Sequence, residues 1–179
     1  MSFGQDSAIG TEQATDVVLL EGLRALGDGL AFNRHLGARV HELTPGRAVC
    51  VLDESGELSN HLGGIHAVAE LAPVELAGAL AATSRLTVLL ERGYVPVVGE
   101  LTARYLAPGR GRLTARAEVG PEVVEPALAA LAAGQKPRTE VVVHAHAADG
   151  EPVVEARLTV VFVPAGTSGT APAETSRAS

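Results

Sequence analysis

The segment NHLGGIHAVAELAPVELAGALAATS, residues 60–84, limits what the chain can fold into more than any other. Beyond its opening turn it is a helix-forming run that reaches to about Glu91. Ala67, Leu71, Val74, Leu76, Leu80 and Leu86 cover most of its circumference. A helix that is apolar on nearly every side must be enclosed by the rest of the protein. Ala77, Gly78, Ala79, Ala81 and Ala82 are small enough for a covering layer to approach it closely. Gly93 is placed to end it. Pro73 removes one helical hydrogen bond and predicts a kink or a local helix start.

The flanking segments indicate what does the enclosing. Val17, Leu20, Leu23 and Leu26 recur at near-helical spacing and predict a first helix over about 12–27, with Gly27 and Gly29 as stops. Two β-type runs, about 37–43 and 47–54, flank Thr44-Pro45-Gly46. Proline then glycine suits the central positions of a type II turn, so this pair reads as a hairpin. Further strands are predicted at 97–106, 112–119, 139–147 and 153–163, the last two joined by a turn at Asp149-Gly150. In 112–119, Leu113, Ala115, Ala117 and Val119 alternate with Arg112, Thr114, Arg116 and Glu118, the period of a half-buried strand. A short helix around Ala127–Ala133, with Pro126 as its first residue and Gly134 as its stop, interrupts the strands. Antiparallel neighbours with polar outer faces form one sheet. The expectation is an α+β protein whose curved antiparallel sheet wraps around a long central helix. Residues 1–10 read as a flexible leader and 11–163 as a single domain. Residues 164–179, rich in Pro, Gly, Ser, Thr and Ala, read as a disordered tail.

Composition removes several function classes. Aromatic residues are 3% of the 179, with no Trp, so the core is built from Val, Leu and Ala, and stacking platforms for bases are not expected. A net charge of -7 argues against a nucleic-acid partner, which needs a basic face. The only cysteine, Cys50, lies in an apolar run, which leaves no intrachain disulfide and no Cys-rich zinc site. The first residues lack a basic region followed by an apolar one, and no run of ~18 uncharged apolar residues occurs. A cytoplasmic protein with no membrane partner is therefore expected.

The polar turn that opens the long helix carries Asn60, His61, Gly63, Gly64 and His66, and Glu75 follows nine residues after His66. This arrangement, with the element order, resembles the hotdog-fold acyl-CoA thioesterases of the PaaI-like group, and more closely the branch found as the C-terminal domain of YiiD-type proteins. The resemblance covers about residues 12–163. In those enzymes an Asn-led loop leads to a His-Gly-Gly at the start of the central helix, with an acid nine residues after the His. It implies hydrolysis of an acyl-CoA or acyl-carrier thioester, with no cofactor other than the coenzyme A of the substrate and no metal. It implies Glu75 as general base or nucleophile, Asn60 and His66 at the reacting group, and the backbone N–H of Ala67 as oxyanion donor, with His61 and Gly64 of the turn as further candidates. The chain departs from the pattern at Ala67 and Val68, where relatives have glycines, and at Ala79, where many carry Ser or Thr.

Helix geometry adds a constraint. Nine residues at ~100° each leave a net half-turn and a rise of ~13 Å, so His66 and Glu75 of one helix point opposite ways. The chemistry closes only if a second chain supplies one half, which makes self-association as a dimer or tetramer part of the expectation. Two other readings remain. His61 and Glu75 are fourteen apart, a spacing that resembles β-hydroxyacyl-carrier-protein dehydratases, although the prolines those enzymes carry after the His are missing here. The other is an acyl-binding hotdog module that has lost hydrolysis. Glu70, four residues after His66, reads as an i,i+4 partner of that histidine. His144 and His146 share a strand face but have no third ligand, so they read as outer-face polarity. Arg110 and Arg112 are candidates to hold the phosphates of coenzyme A or a phosphopantetheine carrier.

Overall fold

The computed structural model describes residues 6–166, with side chains from Val17 onward. Helix α1 (Asp6–Gly29) is followed by a one-turn helix α2 (Ala31–Leu36), then β1 (Arg39–Thr44) and β2 (Arg47–Asp53). After the polar turn come α3 (Ala67–Arg85), α4 (Thr87–Glu91), β3 (Tyr94–Tyr105), β4 (Arg112–Glu118), α5 (Val124–Ala132), β5 (Arg138–His146) and β6 (Pro152–Pro164). The six strands form one sheet in the order β1-β2-β4-β5-β6-β3, every neighbouring pair antiparallel. Helix α3 touches all six. This is the curved sheet around a central helix that the sequence predicts: a hotdog fold.

The inner face of the sheet is aliphatic. Ala48, Cys50 and Leu52 of β2, Leu113 and Ala115 of β4, Val143 and Ala145 of β5, and Leu158 and Val160 of β6 are all buried. Gly78 marks where helix and sheet come closest: a Cβ there would lie 2.9 Å from Leu158 Cδ2 and 3.1 Å from Val143 Cγ2. By length and composition α3 could cross a membrane, but 72% of that window is buried inside the fold, so it is the core helix. Its C-terminal end is fastened to the β1–β2 hairpin. Ser84 Oγ accepts the Gly46 N–H at 3.0 Å, and Arg85 donates to the carbonyls of Pro45 and Val119. Gly46 has φ 80°, as the third residue of a type II turn requires.

The structure corrects several boundaries. Residues 6–10 continue α1 where a leader was expected; residues 1–5 of that leader and 167–179 of the expected tail lie outside the described residues. Helix α2 was not foreseen. Gly37, at φ 77°, caps it, so β1 starts at Arg39. Asn33 Nδ2 donates to Gly27 O at 2.9 Å, and Asp28 Oδ1 accepts the Val40 N–H at 2.7 Å, tying the break between the helices to β1. The long helix stops at Arg85 rather than running to Glu91, because Leu86 (φ -106°, ψ 36°) leaves helical geometry before α4 restarts. Pro73 does not start a helix. It lies buried inside α3, where enclosure by the sheet offsets the hydrogen bond it removes. Strand β3 begins three residues earlier than expected, and its Pro96 is tolerated because β3 is an edge strand. Pro126 is the third residue of α5, not the first; Pro121 opens the 3-10 turn that leads into it.

Candidate functional site

The turn before α3 is organised by one side chain. Asn60 Oδ1 accepts the N–H groups of Leu62 (2.8 Å) and Gly64 (3.2 Å), while Nδ2 donates to Ile65 O at 3.0 Å. Gly63 has φ 72°, and a Cβ on Gly64 would stand 2.8 Å from Gly109 O, so both glycines are required by the backbone. Outside the turn, Arg110 donates to the carbonyls of Gly63 (2.9 Å) and Leu62 (3.3 Å). His61 is exposed beside it.

His66 is the N-cap of α3. Its Nδ1 accepts the Val68 N–H at 3.2 Å, and its carbonyl accepts the N–H groups of Ala69 and Glu70. That leaves the Ala67 N–H with no acceptor among the described residues. An exposed, unpaired N–H at the start of a nineteen-residue helix is a donor backed by the helix dipole, the arrangement that stabilises a developing oxyanion. Tyr105 at the end of β3 donates to Ala67 O at 3.0 Å and fixes the peptide on its other side. Val68 is 65% exposed, so its side chain points away from the fold.

Glu70, read from its spacing as an i,i+4 partner of His66, is near enough to feel its charge, but its hydrogen bond goes elsewhere. It is buried, 3% exposed, and accepts the Gly109 N–H at 2.9 Å. Gly109 O in turn accepts the Ile65 N–H at 2.9 Å. Glu70 thus holds the loop that holds the turn. Burial pushes its carboxyl above the usual range, and the Gly109 N–H and the nearby His66 pull it partly back. Burial and the nearby Glu70 carboxylate raise Tyr105. Neither Tyr105 nor Gly109 was singled out from sequence. Glu70 and Gly109 are 39 residues apart, and no local spacing announces the contact.

Glu75 lies more than two turns beyond Ala67 along α3, half-buried, in the wall of a cavity of about 410 Å³. Leu23, Leu26 and Leu30 close one side, Leu76 and Leu80 the floor, and Val95–Val98 of β3 the other side. Ala79 and Thr83 also line it, the Thr83 hydroxyl donating to Ala79 O at 2.6 Å. Glu75 is the only ionisable group among the lining residues and has no hydrogen-bond or ion-pair partner among the described residues. Burial alone raises its carboxyl above the ordinary range. The residues of the 60–67 turn do not line this cavity. Within the chain the structure gathers Asn60, Gly64, His66, Ala67 and Arg110 at one place and leaves Glu75 at another.

The remaining candidates have partners or none of the right kind. Arg112 donates to Asp53 through Nε at 2.6 Å and Nη2 at 3.3 Å. With Arg39 it draws the Asp53 carboxyl down to about 2. His144 is exposed on the outer face of β5, and no group of three metal-ligating side chains occurs among the described residues. Cys50 is fully buried and its thiol is pushed up to about 12, so it is no nucleophile.

Residues 24–162 match a family defined as a domain of unknown function, DUF4442. The chain belongs to that family. Among solved structures, the fold is similar to that of a probable thioesterase of unknown function from Pseudomonas aeruginosa: 23% identity, TM-score 0.69, over 79% of this chain and 93% of that one. It is similar to a thioesterase from Haemophilus influenzae at 20% identity and TM-score 0.62, over 81% and 90% of the two chains. The PaaI protein of the E. coli phenylacetic acid degradation operon matches at 17% identity and TM-score 0.63, over 84% and 96%. These likenesses establish the hotdog fold of this DUF4442 member. No curated protein gives a significant match.

Proposed function

We propose that the protein hydrolyses an acyl-CoA thioester at a cleft that two subunits complete, the turn of one facing Glu75 of the other. The observation that carries this reading is Glu75 itself: an acid without a partner among the described residues, the only ionisable group in the wall of a largely apolar cavity of about 410 Å³. A buried polar group without a partner costs stability, and a fold retains one where chemistry uses it. Raised above the usual carboxylate range, Glu75 is a better base near neutral pH than an ordinary glutamate. It would take a proton from water as the water attacks the thioester carbonyl. The Ala67 N–H would hold the oxyanion, and the thiolate of the carrier would leave. Asn60 would serve by fixing the turn, since its amide oxygen is committed to two backbone N–H groups.

The shared cleft is supported by the edge of the sheet. Strand β3 is twelve residues long, lies at the edge, and carries exposed Val97 (41%) and Tyr105 (47%). An uncovered edge of this length is a template for pairing with a second chain. It also borders both half-sites: Val97 lines the Glu75 cavity, and Tyr105 holds Ala67. The resemblance of the turn and acid spacing to the hotdog thioesterases, and the fold shared with the neighbours named thioesterases, point the same way. The test is a panel of acyl-CoA esters read by a thiol-reactive dye, beside sedimentation of the free protein. Release of CoA that is lost in Glu75→Ala supports hydrolysis. Hydration of an enoyl-CoA would instead favour a hydratase, and tight binding without turnover an acyl-binding module. A strict monomer would overturn the shared cleft.

A further inference from the structure

On the outer face of the sheet, away from the Glu75 cavity, lies a groove of about 440 Å³. Its walls are Arg112, Thr114 and Arg116 of β4, His146 of β5, and Ala147, Ala148 and Gly150 of the turn that follows. The strand pattern explains why these groups converge. Leu113, Ala115 and Ala117 face the core, so Arg112, Thr114 and Arg116 share the opposite face. Thr114 pairs directly with His146 across the β4–β5 ladder, and Arg116 with His144.

The polar groups of the groove are largely unspent. No carboxylate lines it. Arg116 has no ion-pair or hydrogen-bond partner among the described residues, and neither does the Thr114 hydroxyl. Arg112 gives Nε and Nη2 to Asp53 but keeps Nη1 free. His146 Nδ1 is the one buried side-chain nitrogen or oxygen without a hydrogen-bond partner among the described residues. That nitrogen is closed off from solvent, so only the rest of the imidazole edges the groove. Two guanidinium groups and a hydroxyl around one concavity, with no carboxylate among the lining residues, are donors matched to a phosphate.

We infer that this groove binds a phosphate group, and that the phosphate belongs to the carrier half of the thioester; the second clause rests on the function proposed above. The groove adjoins the candidate site through the chain itself. Gly109 O holds the turn at Ile65, Arg110 clamps Gly63, and Arg112 begins the groove. Three residues separate Gly109 from Arg112, at most ~11 Å of extended chain. Arg112, at the near end of the groove, is thus the guanidinium placed to meet a phosphate on a pantetheine arm whose thioester sits at the turn.

The experiment uses the whole protein and two readouts. In calorimetry, adenosine 3′,5′-bisphosphate binds, more weakly as salt rises. Pantetheine without phosphate does not bind, and Arg116→Ala and Arg116→Glu weaken the bisphosphate by about ten-fold or more. In kinetics, the preference in kcat/KM for an acyl-CoA over the same acyl group on phosphate-free N-acetylcysteamine falls by a similar factor in both variants, through KM rather than kcat. Failure of the bisphosphate to bind, or indifference to both variants, overturns the groove. Inorganic phosphate binding as tightly as the bisphosphate detaches the groove from the carrier and overturns the second clause. Bisphosphate binding in a protein that hydrolyses neither thioester sinks the hydrolase and leaves the phosphate site standing.

Discussion

Glu75→Gln should make the protein more stable while removing its activity. Glu75 is the ninth residue of α3, more than a turn beyond the reach of the helix dipole's positive end, so its charge gains nothing there. It has no partner among the described residues, and burial raises its carboxyl. An unpaired buried polar group costs ~1–3 kcal/mol, and because Glu75 is only half-buried the low end, ~1 kcal/mol, applies. Glutamine keeps the shape and drops the charge but leaves an unpaired amide, so Glu75→Gln should recover only the charge's share of that cost, at most ~1 kcal/mol near neutral pH. For a chain of this length the gain is at most ~2–4 °C in Tm. The pH dependence has a definite sign. A carboxyl whose folded value is raised binds its proton more tightly in the folded state, so wild-type stability falls as pH climbs from the ordinary carboxylate value through the raised one. The advantage of Glu75→Gln should be full near ~pH 8 and vanish near ~pH 3.5, where both states are protonated. Urea unfolding at the two pH values measures this. Loss of a general base should cost ~10²–10⁴-fold in kcat on the same samples. A glutamine variant less stable than wild type near ~pH 8 would show that the carboxylate holds the structure together, and the argument for a site would fail with it.

Glu70→Ala should behave oppositely, losing ~1–3 kcal/mol in urea unfolding because the Gly109 N–H is left buried without an acceptor. Gly109→Ala places a Cβ 2.5 Å from Glu70 Oε1 and should destabilise on its own, yet add little in the Glu70→Ala background; additive costs would show that the two do not form one latch. Gly78→Val overfills the 2.9 Å approach to Leu158 and should cost ~1–3 kcal/mol by thermal melting; no cost would mean that α3 is not packed on β6 as described. Cys50 should resist a thiol-reactive dye in the folded protein and react on unfolding, which also keeps it out of the CoA-release assay; rapid labelling of the native protein would contradict its burial.

The parts of this fold that sequence exposes are those where one residue's environment repeats at a fixed period. Leu113, Ala115 and Ala117 declare an inner strand face, and the apolar circumference of α3 declares enclosure, because burial acts alike on every position of the pattern. The Pro45-Gly46 turn is legible for a different reason: two adjacent residues fix two backbone angles. Boundaries failed where tertiary contacts decide. The break at Leu86 lies where Arg85 reaches across to Pro45 and Val119, and α2 where Asn33 satisfies a carbonyl at Gly27. The site divides along the same line. The 60–67 turn is local, so Asn60, Gly64 and His66 carry a readable signature. The Glu75 cavity is not, since Leu23 and Leu80 would show the same spacing whether they met each other or faced an empty volume. Periodicity reports which side of a helix avoids water, not whether that side is filled. This is why the acid could be marked from sequence as unusual, while its being the only ionisable group in a largely apolar cavity wall needed the fold. It is also why the second half of the site belongs to another copy of the chain in this reading: eight residues of α3 separate Ala67 from Glu75, a rise of ~12 Å that one copy cannot close.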